Sequence, residues 1–255
     1  MVIDFHVHIQ PRSGEEDVQR FLDAMEENGI DRAVVHALGR TTAELEGTTA
    51  NISRLVEKHP DKLIGFGSVF PTNRDAAAQL ESQVMDMGMK GLKLHPLLQQ
   101  FSPADTVMAP LMEKCRQLKI PVLFHTGPGY MRDGRLADAD AVLIDELAKR
   151  YPEVSIIIAH GDPLGPDPYI AARNENVYLD TTIRFAQIAR LMPNIGEEML
   201  DWMKTDERLL YGSDAFPEHM GYFSYNLEPI RKMNISEESR AKILGGNAAR
   251  LLGLA

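Results

Sequence analysis

The chain opens on Val2-Ile3-Asp4-Phe5-His6-Val7-His8-Ile9, a stretch that places two histidines two residues apart. In a β-strand successive side chains point to opposite faces. Strict alternation therefore puts His6 and His8 on one face with Asp4, and Ile3, Phe5, Val7 and Ile9 on an apolar face that packs outward. Two inward imidazoles fill a core poorly but present two nitrogen ligands to one metal ion. A lone H-x-H motif also fits a pair of hydrogen-bonded core histidines, so the other polar residues decide its meaning. Those are Lys93, His95, His125, His160 and Asp214. Imidazoles and a carboxylate suit a divalent Zn, Mn, Fe or Ni ion, with zinc the default, and one or two ions could be held. A metal with three or four protein ligands keeps a position for water and pulls its pKa toward ~7. Asp214 could then bind metal and take a proton, and His160 could steer or protonate the reacting group.

Other catalytic frames are missing. The chain has no H-E-x-x-H, no G-x-S-x-G and no G-x-x-x-x-G-K-[ST]. The one cysteine, Cys115, has no polar motif beside it and reads as a small buried hydrophobe.

The residues acquire a common location from the elements that carry them. Apolar strand-like runs fall at 2–9, 32–37, 63–69, 89–95, 121–126, 154–160, 176–181 and 208–213. Helical patterns lie between them, at about 13–28, 41–58, 75–87, 104–118, 138–150, 167–173 and 186–203, and after the last strand at 222–233 and 236–252. Ser13-x-x-Glu16 and Thr41-x-x-Glu44 read as capping boxes, Gly29 closes the first helix, and Ser236 starts the last. Apolar strands alternating with helices mean a parallel sheet covered on both faces. Eight units in 255 residues fit an α/β (β/α)8 TIM barrel with a C-terminal helix, as a single domain over 1–255. An open doubly wound sheet fits less well, because Gln10-Pro11-Arg12 stands where its G-x-G-x-x-G would be.

In a barrel the carboxyl ends of the strands converge on one rim. His6, His8, Lys93, His95, His125, His160 and Asp214 all stand at or near such ends, so the barrel turns scattered residues into one site. Of the remaining histidines, His36 ends the second strand and reads as structural, while His59 and His219 read as exposed.

Composition narrows the partners. Lys and Arg number 27 against 37 Asp and Glu, a net charge of −10, which argues against nucleic-acid and anionic-membrane surfaces. No apolar run nears the ~20 residues that cross a bilayer, and the chain begins directly in strand residues without a signal-peptide pattern. A cytoplasmic protein acting on a small molecule is expected, with self-association into a homo-oligomer left open.

The set of motifs resembles the amidohydrolase superfamily, and more closely the branch that holds aminocarboxymuconate-semialdehyde decarboxylase and the resorcylate decarboxylases. Its marks are His6-x-His8, Gly91-Leu92-Lys93-Leu94-His95-Pro96, Pro121 to Gly127 around His125, Ala159-His160-Gly161, Tyr211-Gly212-Ser213-Asp214 and the closing Gly246-Asn247-Ala248-Ala249-Arg250-Leu251. The resemblance runs nearly end to end. It implies metal binding by His6, His8, His125 and Asp214. His160 becomes a further ligand in two-metal members, or a catalytic histidine beside a single ion. Lys93 matches the position where some relatives carry a carboxylated lysine bridging two metals; the alternative is an ion pair with Asp4 or Asp214. The substrate pocket would come from the βα loops, with Tyr130 and Phe216 in the two richest, His95 as an extra ligand or contact, and Arg184 gripping a carboxylate.

The first expectation is a metal-dependent hydrolase of an amide, lactone or ester. The alternative is a non-oxidative decarboxylase or hydratase of an unsaturated or aromatic acid. The chain's compactness beside longer decarboxylases tilts the choice to hydrolysis. A barrel that binds without catalysis is the third reading; it leaves Asp214 and His160 without work.

Overall fold

In the computed structural model, which describes residues 1–254, eight strands pair in chain order and all are parallel. They are β1 (Ile3–Val7), β2 (Arg32–His36), β3 (Leu63–Gly67), β4 (Gly91–Leu94), β5 (Val122–Phe124), β6 (Ile156–Ile158), β7 (Val177–Asp180) and β8 (Leu209–Leu210). The sheet closes on itself where β1 meets β8 and the residues after it. Phe5 N–H donates to the Tyr211 carbonyl at 2.8 Å, Asp214 N–H to His6 at 2.7 Å, and His8 N–H to Ala215 at 2.9 Å. The expected TIM barrel is the fold.

Among the described residues, twelve α-helices surround it: α1 (Glu15–Glu27), α2 (Thr42–Lys58), α3 (Ala76–Met85), α4 (Pro96–Gln99), α5 (Met108–Leu118), α6 (Val142–Arg150), α7 (Asp167–Arg173), α8 (Arg184–Leu191), α9 (Ile195–Met203), α10 (Tyr222–Lys232), α11 (Glu237–Ala241) and α12 (Asn247–Leu251). Among the described residues no helix is long and apolar enough to cross a membrane.

Several boundaries differ from the sequence reading, each for a local reason. The cap of α1 is Gly14, not Ser13, because Asp17 at the third helical position accepts the Gly14 N–H at 3.0 Å. The expected helix over 186–203 is two helices, since Pro193 cannot continue the first. The expected helix over 236–252 holds a π turn, Lys242–Gly246, between α11 and α12. The short helix α4 had no periodicity to betray it; His95 caps it and Pro96 opens it.

The apolar core has two layers. Inside the barrel, Ile3, Phe5, Val34, Phe66, Leu123 and Ile157 form a dry floor. Between sheet and helices lies the larger layer, to which Val7 and Ile9 belong. The strict alternation expected for β1 is therefore broken: Ile3 and Phe5 face inward, Val7 and Ile9 outward. A β-bulge does this. Asp4 pairs with Ala33 and Val7 with Val35, so the step on β1 is one residue longer than on β2. Phe5 and His6 both turn into the barrel, one filling the floor and the other standing above it.

Candidate metal centre and active site

The polar residues collect above that floor. Lys93 lies in β4, whereas His95 and His125 follow directly after β4 and β5, His160 two residues after β6, and Asp214 four after β8. The strands are shorter than the sequence suggested, so these side chains sit on the first loop residues. His160 and Asp214 both adopt the left-handed region, with φ of 58° and 59°. Such backbone costs energy for a residue with a Cβ and is held by hydrogen bonds. His160 N–H donates to Asp180 Oδ1 at 2.8 Å, and Asp214 N–H is bound by His6.

His6, His8 and Asp214 form one cluster whose ligand atoms lie within 4.8 Å of one another. The Nε2 atoms of His8 and His6 stand 3.2 and 3.8 Å from Asp214 Oδ1. Their other nitrogens are engaged: His6 Nδ1–H with Asp180 Oδ2 at 2.8 Å, His8 Nδ1–H with the His36 carbonyl at 2.9 Å. Each Nε2 is thereby left as a lone pair facing the carboxylate, the tautomer a metal requires.

A second chain of donations fixes the other two histidines. Thr182 Oγ1 donates to Asp180 Oδ1, which makes it the acceptor for His160 Nδ1–H at 2.7 Å. His160 Nε2 then accepts from His125 Nδ1–H at 3.0 Å. His125 Nε2 is left buried with no partner, a lone pair open to a cation. Its ring is stacked on His95 at 3.8 Å and 12°. The donor set of His6, His8 and Asp214 fits a divalent cation, and His125, with its unpartnered Nε2, lines the same cavity.

Electrostatics agree. Burial, followed by the nearby Lys93 charge, keeps His6 and His36 well below the usual histidine range and puts His95 at about 2. Burial also lowers His125 well below that range, with neighbouring His160 and His95 adding to it. All four are neutral. Asp214 is pushed up by burial, but its close contact with His8 and the nearby Lys93 charge hold it below the ordinary carboxylate value. Burial brings Lys93 down to about 8. The lysine forms neither of the carboxylate pairs considered from sequence: its Nζ meets His6 Nε2 at 3.2 Å.

The inner cavity, about 220 Å³, is lined by these groups together with Gln10, Leu38 and Phe216. It opens past His125, His160 and Asp214 into a larger one of about 740 Å³ walled by the loops after β5, β6 and β7. Tyr130 and Arg184 line this outer space. Tyr130 is exposed there, and Arg184 is paired through Nε with Asp162 at 3.0 Å.

Sequence reading overlooked Asp180 and Thr182, which tie His6 to His160. Their place at the end of β7 was the available signal. His36, read as structural, is buried among Phe5, His6 and Phe66, with its Nε2–H on the Phe5 carbonyl.

A family model described as amidohydrolase matches residues 3–254. No curated protein matches the chain in sequence. Among solved structures, a dihydroxybenzoic acid decarboxylase from Polaromonas, with bound manganese and 2-nitroresorcinol, is similar at TM-score 0.77 and 18% identity, over 99% of this chain and 97% of that one. A 4-oxalomesaconate hydratase from Rhodopseudomonas palustris is similar at 0.71 and 18%, over 99% and 96%. An uncharacterised TIM-barrel protein from Bordetella bronchiseptica gives 0.74 and 21%, over 99% and 98%.

Proposed function

The chain belongs to the amidohydrolase family, and on that footing we propose that it is a metal-dependent lyase, a non-oxidative decarboxylase or hydratase of an unsaturated or aromatic carboxylic acid. The observation that carries this reading is the pairing of one cation cluster, His6, His8 and Asp214, with an oriented His160 across the same cavity. The similarity to a decarboxylase and a hydratase supports it. Chain length no longer opposes it, since the likeness spans 97% of the decarboxylase.

In this reading His6, His8, His125 and Asp214 hold the ion, zinc by donor set or manganese as in the decarboxylase relative. Bound there, the ion would supply a Lewis acid for an oxygen-bearing substrate. Thr182 and Asp180 fix the His160 ring; with its Nε2 released from the His125 N–H and protonated, His160 delivers that proton to the substrate carbon as carbon dioxide leaves, and with Nε2 released and unprotonated it takes one from water in a hydration. Phe216 in the inner cavity and Pro128, Leu136 and Ile183 in the outer one offer apolar surface to the substrate's carbon frame. Arg184, already oriented by Asp162, receives a polar group at the outer end. The substrate is a small molecule and the setting cytoplasmic.

A second reading, hydrolysis of an amide, lactone or ester, has one feature in its favour. Asp214 is kept ionised beside the ion's position and could take a proton from water. Lys93 as a bridging carbamate belongs to this reading.

A panel of hydroxybenzoic and unsaturated acids, followed by carbon dioxide release and by ultraviolet absorbance, separates the two. Turnover of an acid is expected. Turnover confined to esters, lactones or amides, with two metals per chain and a mass gain of one carbon dioxide, would establish the hydrolase instead.

A further inference from the structure

The bulge that turns His6 inward is bonded in an unusual way. Phe5 and His6 have no register partners on β2, and the peptide group between them is held by two buried side chains. Its N–H donates to Asp4 Oδ1 at 3.1 Å, and its carbonyl accepts from His36 Nε2–H at 2.7 Å. Each of these side chains reaches a second part of the site. The same Asp4 oxygen accepts the N–H of Ser213 at 3.0 Å, the residue before Asp214. The His36 backbone carbonyl accepts His8 Nδ1–H.

We propose that Asp4 and His36 are positioning residues of the metal centre: by clamping the Phe5–His6 peptide from both sides they keep the bulge that aims His6, and join it to His8 and Asp214. Paired without the bulge and with Ile3 and Phe5 still inward, the strand's alternation would carry His6 and His8 to the helix side and leave Asp214 as the one remaining member of the three-residue cluster. General stability does not explain the pair. Asp4 Oδ2 and His36 Nδ1 are both buried without partners, a cost that apolar side chains packed on Phe5 and Phe66 would not carry.

The proposal rests on His6, His8 and Asp214 as metal ligands, but not on the reaction, so it is tested by metal affinity without turnover. Mn2+ and Zn2+ dissociation constants would be measured by calorimetry or chelator competition for the wild type and for Asp4→Asn, Asp4→Ala, His36→Gln and His36→Phe. The visible spectrum of the Co2+-loaded proteins and the Tm of each metal-free protein would be taken alongside. Asn retains the accepting oxygen and Gln the donating Nε2–H, so both should bind within about threefold of wild type with the wild-type Co2+ spectrum. Asp4→Ala and His36→Phe should bind roughly 10- to 100-fold more weakly, the usual effect of losing a group that orients a ligand. Wild-type affinity in folded Asp4→Ala and His36→Phe overturns the proposal. So does Gln or Asn binding as poorly as the truncations. Should a truncation fail to fold, the Co2+ spectra of Asp4→Asn and His36→Gln decide: unchanged supports the clamp, shifted overturns it. A wild type that binds no metal would instead remove the proposed function itself.

Discussion

Seen from single residues, the site is a problem of tautomers. A neutral imidazole offers one lone pair, and its direction depends on where the proton sits. Asp180, the His36 carbonyl and His160 each accept a hydrogen bond from the N–H of the ring nitrogen that must not face the ion. Thr182 does the same for His160. Replacing His160 with Gln, whose Oε1 can reach the Nε2 position and still accept from His125 Nδ1–H, should therefore leave metal content unchanged and lower kcat by roughly 10²- to 10⁴-fold, the range for losing a general acid–base group. Thr182→Val, which keeps shape but drops the acceptor, should cost about 10-fold or more through His160 orientation. Metal loss in either variant would count against this division of labour.

Asp167, in the wall of the outer cavity, gives a pH prediction. Burial, with Asp162 and Asp140 adding repulsion, raises its carboxyl to about 7 from 3.8. The folded protein thus keeps a proton there that the unfolded chain releases above 3.8, and stability falls as pH climbs from about 4 to 7. At 1.36 kcal/mol per pH unit the gap from 3.8 to about 7 amounts to at most about 4 kcal/mol. Asp167→Asn can still accept the Asp162 N–H and has no proton to lose. Its Tm advantage over wild type should grow between pH 4 and 7 and then level off, as thermal melts across that range would show.

Among the elements, β4 illustrates how a strand serves both floor and site. Its inward positions are Gly91 and Lys93, low and high in the barrel. A Cβ on Gly91 would stand 2.3 Å from the Phe66 ring, and that ring packs edge-on against Phe5 at 5.6 Å and His36 at 4.8 Å. Gly91→Ala should cost about 1–3 kcal/mol as overpacking, a Tm drop of very roughly 2–12 °C. Because Phe66 packs on both Phe5 and His36, its displacement should disturb them and weaken metal affinity as well. An Ala variant with unchanged Tm and affinity would show that the floor is looser than its geometry indicates.

At the level of the whole molecule, the barrel's stability and the metal's are separable. The floor and the sheet–helix layer are apolar and complete beneath the site, so the ion adds stability without creating the fold. Chelation should leave the circular dichroism spectrum intact and lower Tm. For an ion present at about 1,000 times its dissociation constant the loss is about 4 kcal/mol, or roughly 8–16 °C. The His6→Ala/His8→Ala variant should fold, bind no metal and show no response to chelator. Collapse of secondary structure on chelation would contradict this picture.

How much of this was legible in the sequence follows from which interactions are local. Strand and helix order came through, because period-two and period-3.6 patterns record burial along each element. With it came the barrel and the rim on which His125, His160 and Asp214 meet. The pairing of His6 with His8 was readable from a spacing of two. Other features depend on contacts between distant segments. The bulge in β1 exists because Asp4 reaches Ser213 and His36 reaches back across from β2. No pattern within residues 2–9 announces it, and strict alternation therefore placed Ile3 and Phe5 on the wrong face. The linkage of His6 to His160 through Asp180 and Thr182, and the choice of His6 as the partner of Lys93, likewise arise only when strands far apart in the chain close into one ring. Residue types and periodicity settled which chemistry was present; the closed barrel decided which lone pair faces which charge.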